Sequence, residues 1–235
     1  MSHLLALDTA TECGSVAVGE PGRISAELVF GERRHATVLM SAIKSVMTVS
    51  GISFADLSGI VVAEGPGSFT GLRIGFATAK GILLEHDGLT LTTVPSLLAT
   101  AWPFRFVGNR QIAAMYDALR GDVFAAIYSF AGPGVVTELT PTLTTVTQLT
   151  ELNGVSPSLA VGDGAVLHAD LVRAWTGTEP VGPPTASPRA GVLLELLEFE
   201  DVTTLVRDPA SFEPEYGRLA EAQVRWEAEH GKPLI

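Results

Sequence analysis

The chain of 235 residues has one cysteine, Cys13, few charged side chains, and no uninterrupted apolar run of the length that crosses a membrane. A single cysteine excludes an internal disulfide and any cysteine-rich zinc site, and it fits a reducing compartment. Charged residues make up 17% of the chain and apolar ones 46%, against roughly 25% charged in ordinary soluble domains. Such a surface is less polar than that of a typical monomer and points to a protein partner. Basic residues are scarce too, with 15 Lys and Arg against 26 Asp and Glu and a net charge of −11. Their one local concentration is Arg33-Arg34-His35. Tight RNA binding needs a basic surface that neutralises phosphates, so any RNA is expected on another subunit and only indirectly here. The N-terminus has no basic region before its apolar residues and meets Asp8 early. A cytoplasmic protein without membrane contact is expected.

Known phosphate-binding signatures are also missing. The run Gly65-Pro66-Gly67-Ser68-Phe69-Thr70-Gly71-Leu72-Arg73-Ile74-Gly75 follows a strand pattern and opens a helix, but it has neither the Gly-Lys-Ser/Thr ending of a Walker loop nor the glycine spacing of a dinucleotide fingerprint. It does supply flexible backbone, Ser68 as a helix cap, and Thr70 and Arg73 in the first turns. Free N–H groups at such a terminus can hold an anion, so Ser68, Thr70 and Arg73, together with Asp8, are candidate anion or nucleotide contacts. Gly71, Gly75 and Ala79 recur every fourth residue and form one stripe. Each helical glycine costs roughly 1 kcal/mol relative to alanine, so something must approach the stripe closely. Either the chain's own sheet or a helix of another protein could do so.

The length allows one large domain or two lobes of about 100 residues. Residues 4–8, 15–18 and 24–30 read as strands. A helix follows, with Val38, Leu39, Ala42, Ile43, Val46 and Met47 at helical spacing and Gly51 as its stop. Ser53 and Asp56 cap a short turn, residues 60–63 form a strand, and the glycine run leads into a helix that ends near Asp87-Gly88. The second half repeats this plan, with strands at 112–116, 123–128 and 135–139, a helix at 146–152, a strand at 159–161 ending in Gly162-Asp163-Gly164, and a helix at 165–175. Asp8 and Asp117 both close a first strand. The proline-rich stretch 179–188 reads as a loop, 193–200 as a helix, 212–217 as irregular and 220–230 as a charged terminal helix. Two copies of this pattern make an α/β protein of two ribonuclease-H-like lobes. The expected divisions are 1–105, 106–210 and a tail at 211–235.

These residues resemble the TsaB (YeaZ) family over nearly the whole chain. The resemblance rests on Leu5-Ala6-Leu7-Asp8-Thr9-Ala10-Thr11, the glycine run with Ala79-Lys80-Gly81, Asp117 with Arg120-Gly121-Asp122-Val123, Gly162-Asp163-Gly164-Ala165, Pro188-Arg189-Ala190 and Pro214-Glu215-Tyr216-Gly217-Arg218. It implies the actin, Hsp70 and sugar-kinase (ASKHA) fold without the usual nucleotide-binding equipment. It also implies a non-catalytic activating subunit that pairs with TsaD for N6-threonylcarbamoyladenosine formation beside the anticodon of tRNAs reading ANN codons. TsaE would join the assembly, the complex would use ATP, no cofactor would be tightly bound, and the chain alone would form a homodimer through the same surface. The helices implied as that surface span about 35–50 and 68–86, which makes His35, Leu39, Ala42, Ile43, Val46, Gly71, Gly75 and Ala79 the expected interface residues. Gly217 and Leu119 depart from the family pattern, where a leucine or valine and an arginine are common.

The alternative is an ATP-dependent kinase or ATPase of the same fold, with Asp8 and Asp163 organising magnesium. The chain is short for that role, and both aspartates can equally serve as hydrogen-bond acceptors at strand ends. No metal site is expected: the resemblance implies catalytic relatives that hold a metal through two histidines one helical turn apart, and here Leu39 stands four residues after His35. No HExxH motif or nucleophile elbow supports a peptidase.

Overall fold

A computed structural model describes residues 3–31, 35–132, 134–152 and 154–217. The expected terminal helix at 220–230 and the pair Arg33-Arg34 lie outside these residues. Short apolar runs bounded by small turn residues yield β1 (His3–Asp8), β2 (Gly14–Glu20) and β3 (Arg23–Phe30). Helix α1 (His35–Ser50) follows, and Gly51 ends it with a left-handed φ of 70°. Ser53 and Asp56 close a capping box around a short 3-10 turn, as their spacing predicted. Strand β4 (Leu57–Ala63) and helix α2 (Phe69–Glu85) come next.

Two further elements, β5 (Thr90–Val94) and α3 (Ser96–Ala101), stand where periodicity marked nothing. Strand β5 is short, with three threonines and only two apolar residues, Leu91 and Val94, and α3 is buried on all sides and therefore carries no amphipathic stripe.

The second half contains β6 (Gln111–Asp117), β7 (Val123–Ser129), β8 (Val136–Thr144), α4 (Val146–Thr150) and β9 (Leu159–Val161). The helix expected at 165–175 is two, α5 (Asp163–Leu167) and α6 (Ala169–Thr176), because His168 at φ −111° and ψ 34° breaks the helical path. Helix α7 (Ala190–Leu196) begins right after the proline-rich loop, three residues earlier than expected, and β10 (Thr204–Val206) follows it.

The first sheet runs β10-β5-β4-β1-β2-β3 and the second β8-β7-β6-β9. Both contain the same order, third-second-first-fourth, with the first three strands antiparallel and the fourth parallel to the first. This is the ribonuclease-H-like pattern twice over, the two-lobed ASKHA arrangement. In the second lobe a single parallel bridge between Val161 and Val181 stands where β5 stands in the first. The expected span 106–210 thus supplies elements to both sheets, since β10 pairs with β5 and α7 packs on β1 to β4.

Strand alternation sorts the core into layers. Leu5, Leu7, Val16 and Val18 face the buried stripes of α1 and α2. Ala6 and Ala17, on the opposite face, join Ala114, Ala126, Tyr116 and Phe124 of the second sheet in one cluster that also takes α3 and α7. The far face of the second sheet, with Ala113, Met115, Ala125 and Ile127, is covered by Val146, Leu149, Ala165 and Val172 of α4 to α6. The lobes therefore share a continuous apolar core at their junction. Among the described residues no helix is long and apolar enough to cross a membrane.

Candidate functional site

The glycine run connects β4 to α2, and its glycines are explained by backbone that approaches from the same chain. A Cβ on Gly67 would meet the Ala10 carbonyl oxygen at 2.3 Å and one on Gly71 the Thr9 carbonyl oxygen at 2.1 Å. On Gly75 it would lie 2.4 Å from the Thr9 hydroxyl. Ala79 is fully buried. Of the two candidates for the stripe, the structure selects the chain's own first strand and the loop after it. Gly71, Gly75 and Ala79 are therefore not surface residues of the isolated chain, which corrects their assignment to a partner interface.

The same correction applies to α1. Leu39, Ala42, Ile43 and Val46 are buried against Leu5, Leu7, Val16 and Val18, because their spacing is that of the core-facing stripe. His35 is buried as well, bonded through Nε2 to the Thr11 carbonyl oxygen at 2.8 Å and edge-on to Phe30. The outward faces belong to other residues. Met40 (57% exposed) and Val49 (80%) stand out on α1, and Leu84 (86%) on α2. On the same side of α2 as Leu84 lie Thr70, Ala77 and Gly81, all exposed, and Gly81 opens onto free space. A shallow groove lined by Met40, Lys44, Met47, Ile52 and Phe54 adjoins the outer side of α1. The signal for these positions was present in the sequence as the side of each helix opposite the apolar stripe.

The four candidate anion contacts are not one cluster. Ser68 caps α2, its hydroxyl accepting from the Gly71 N–H at 3.2 Å while its own N–H donates to the Ala10 carbonyl at 2.7 Å. Thr70 is exposed in the first turn of the helix. Arg73 instead lies over the Phe69 ring at 4.0 Å, and its Nε donates to the Tyr216 hydroxyl at 3.2 Å. Asp8 is fully buried at the end of β1, its Oδ1 accepting from the Ala10 N–H at 3.2 Å and its Oδ2 without a partner among the described residues. Burial pushes its carboxyl up to about 8, partly opposed by the Ala10 bond and reinforced by the Glu27 charge.

The second lobe repeats the arrangement. Asp163 Oδ1 accepts from the Asp117 N–H at 3.2 Å and the Gly164 N–H at 2.9 Å, and Asp117 accepts from Leu119 N–H at 2.8 Å. Burial holds the Asp163 carboxyl above its usual range, partly opposed by these backbone bonds, while the Asp117 charge adds to the rise. These carboxylates close turns, which matches their reading as acceptors at strand ends. Between the lobes, the Tyr116 hydroxyl lies 2.5 Å from Thr100 Oγ1 and donates to the Ser96 carbonyl at 2.9 Å. Arg189 pairs with Glu27, and the Ala190 and Gly191 N–H groups bond Ser15 Oγ and Glu27 Oε1 at 2.8 Å. The Pro188-Arg189-Ala190 motif thus ties α7 to the first sheet. Among the described residues no three His, Cys, Asp or Glu side chains are grouped to hold a metal ion.

Comparison with known proteins is decisive for family. The chain is 30% identical to the tRNA threonylcarbamoyladenosine biosynthesis protein TsaB of Bacillus subtilis, over 95% of this chain and 97% of that one. The chain belongs to the TsaB family. It is also 35% identical to TsaB of Escherichia coli, in an alignment that spans 54% of each chain. The family model of TsaD, tRNA N6-adenosine threonylcarbamoyltransferase, matches residues 30–170, so this TsaB-family chain shares a core with that enzyme group. A solved structure described as a Pseudomonas aeruginosa protein with similarity to peptidase YEAZ superposes with a TM-score of 0.75 at 23% identity, over 93% of this chain and all of that one. That likeness carries the fold.

Proposed function

We propose that this chain is a non-catalytic activating subunit that pairs with TsaD in forming N6-threonylcarbamoyladenosine next to the anticodon of tRNAs reading ANN codons. The observation that carries the reading is the outward side of α1 and α2, where Met40, Val49 and Leu84 stand exposed beside small residues, in a chain of the TsaB family. A long helix that shows solvent Thr70, Ala77 and Gly81 can take a partner helix at close range. In this reading the same surface pairs two copies when TsaD is absent, TsaE joins the complex, and ATP is used by the complex in the cytoplasm. The net charge of −11 leaves tRNA binding to the partner. Binding of the preformed helical surface favours the competent state of TsaD.

The kinase alternative has less support. Asp8 is enclosed, with burial pushing its carboxyl up to about 8, and an apolar core fills the junction between the lobes. Reconstituted tRNA modification with TsaD, TsaE, the adenylate-forming enzyme, ATP, threonine and bicarbonate is the direct test. Omitting this chain abolishes product if the reading is right, and unchanged product overturns it. Gly81→Leu adds bulk on the outward face without a clash inside the chain, so it should block pairing while thermal stability is kept or raised by up to about 1 kcal/mol.

A further inference from the structure

One flank of α2 is covered by the chain itself. Residues 208–217 leave β10 and run along the helix without regular secondary structure. Lys80 Nζ donates to the carbonyl oxygens of Ala210 at 3.1 Å and Phe212 at 2.7 Å. The Phe212 ring stacks on Phe76 at 5.4 Å, and Tyr216 packs on Phe69 at 4.6 Å while its hydroxyl accepts from Arg73. The Glu215 N–H donates to the Glu64 carbonyl at 2.9 Å, and its own carbonyl oxygen presses against Gly65, where a Cβ would sit 2.1 Å away. Both cations of α2 and two of its rings are therefore occupied by this one segment. They form a strip running along the helix immediately beside Ala77 and Leu84.

The hold rests on few residues: Phe212 and Tyr216 are half-buried against the two core clusters. Of the segment only Pro214 is buried, and Asp208, Ala210, Ser211, Glu213, Glu215 and Gly217 are exposed. Elements joined by few buried contacts open at low free-energy cost. We propose that residues 208–217 are a strap that closes the Phe69, Arg73, Phe76 and Lys80 flank of α2, and that its opening gives a partner protein access to that flank. This rests on the reading that a partner docks on the outward side of α1 and α2. With the strap shut, the partner meets only the face that carries Thr70, Ala77, Gly81 and Leu84. With it open, two aromatic rings and two cations are added, a surface suited to an acidic and aromatic segment such as the strap's own Phe212-Glu213-Pro214-Glu215-Tyr216.

The test uses the full chain and two variants, Phe212→Ala on the strap and Lys80→Met beneath it. Amide hydrogen exchange at Glu215, whose N–H bonds the Glu64 carbonyl, reports closure without any partner. TsaD affinity is measured in parallel by calorimetry. A strap that is open about a tenth of the time lowers the apparent affinity about tenfold, so Phe212→Ala should speed Glu215 exchange and tighten TsaD binding by about that factor. Faster exchange with equal or weaker binding in Phe212→Ala, which leaves the flank itself intact, would show that the strap does not gate the surface; Lys80→Met, which alters the flank, is read by exchange alone. Unchanged exchange in both variants would show that these contacts do not hold it, which also overturns the proposal. If even the wild-type chain fails to bind TsaD, the pairing reading falls and the gating role with it, whereas normal binding unaffected by the variants removes only the strap.

Discussion

The two lobes solve one packing problem in the same way and then diverge. In the first, Gly67 and Gly71 let the loop and helix after β4 approach the carbonyl oxygens of Ala10 and Thr9 just beyond β1. In the second, Gly162 and Gly164 let the loop after β9 approach the backbone of Met115 and Tyr116 near the end of β6. The helix that follows differs. In the first lobe it is the 17-residue α2 with a side-chain cap from Ser68. In the second it is the 5-residue α5, which follows Gly162 without such a cap and breaks at His168. The first lobe also extends its sheet with β5 and β10, where the second has one bridge. A fold that keeps its strand order but shortens one lobe retains a rigid junction while presenting long helices on one side only.

The comparison is broken most severely at Gly75. A leucine there must displace Thr9 from a filled core, so Gly75→Leu should destabilise the chain by about 3 kcal/mol or more in urea unfolding. Gly81→Leu, six residues on along the same helix, should not. Equal effects would mean that the stripe is not the buried side.

Asp8 separates the lobes electrostatically. Its carboxyl is raised to about 8 in the folded chain, against about 3.9 when unfolded. The unfolded state therefore releases its proton first as pH rises. The Asp8 contribution is fully present below about pH 4 and declines between there and about pH 8, by up to about 1.4 kcal/mol per pH unit. Asp8→Asn should flatten this part of a stability profile measured from pH 5 to 8 and raise stability at its upper end. An unaltered slope would place the Asp8 carboxylate in contact with solvent.

Gly164→Ala probes the second lobe, since the new Cβ would lie 2.7 Å from the Tyr116 carbonyl carbon. A loss of about 2 kcal/mol in thermal unfolding is expected. The smallest effect belongs to Ser68→Ala, which removes the α2 cap and should cost about 1 kcal/mol. A negligible loss there would show that tertiary packing alone holds the helix start.

Much of this was legible in the chain itself. Short apolar runs at 4–8 and 112–116, helical spacing from Val38 to Met47 and the repeated turn glycines fix the order of elements and the two-lobed plan, because run length and side-chain period are local properties of the chain. The glycines of α2 likewise announced a close neighbour, since a missing side chain in a helix needs compensation. The period of a helix marks a stripe without naming what covers it. The expected interface residues lie on the buried sides of α1 and α2 in the folded chain, and α3 gives no periodic signal because full burial erases the contrast that periodicity needs, while β5 is a run of only five residues.

The sequence by itself determined the fold class, the poverty of positive charge, and the family to which the chain belongs. Only the tertiary structure decided that Thr9 fills the glycine stripe, that Asp8 is enclosed, and that residues 208–217 lie across α2. Each of these depends on contacts between segments distant in the chain, such as Lys80 and Phe212 or Glu64 and Glu215, and no local spacing encodes which distant backbone will arrive at a given surface.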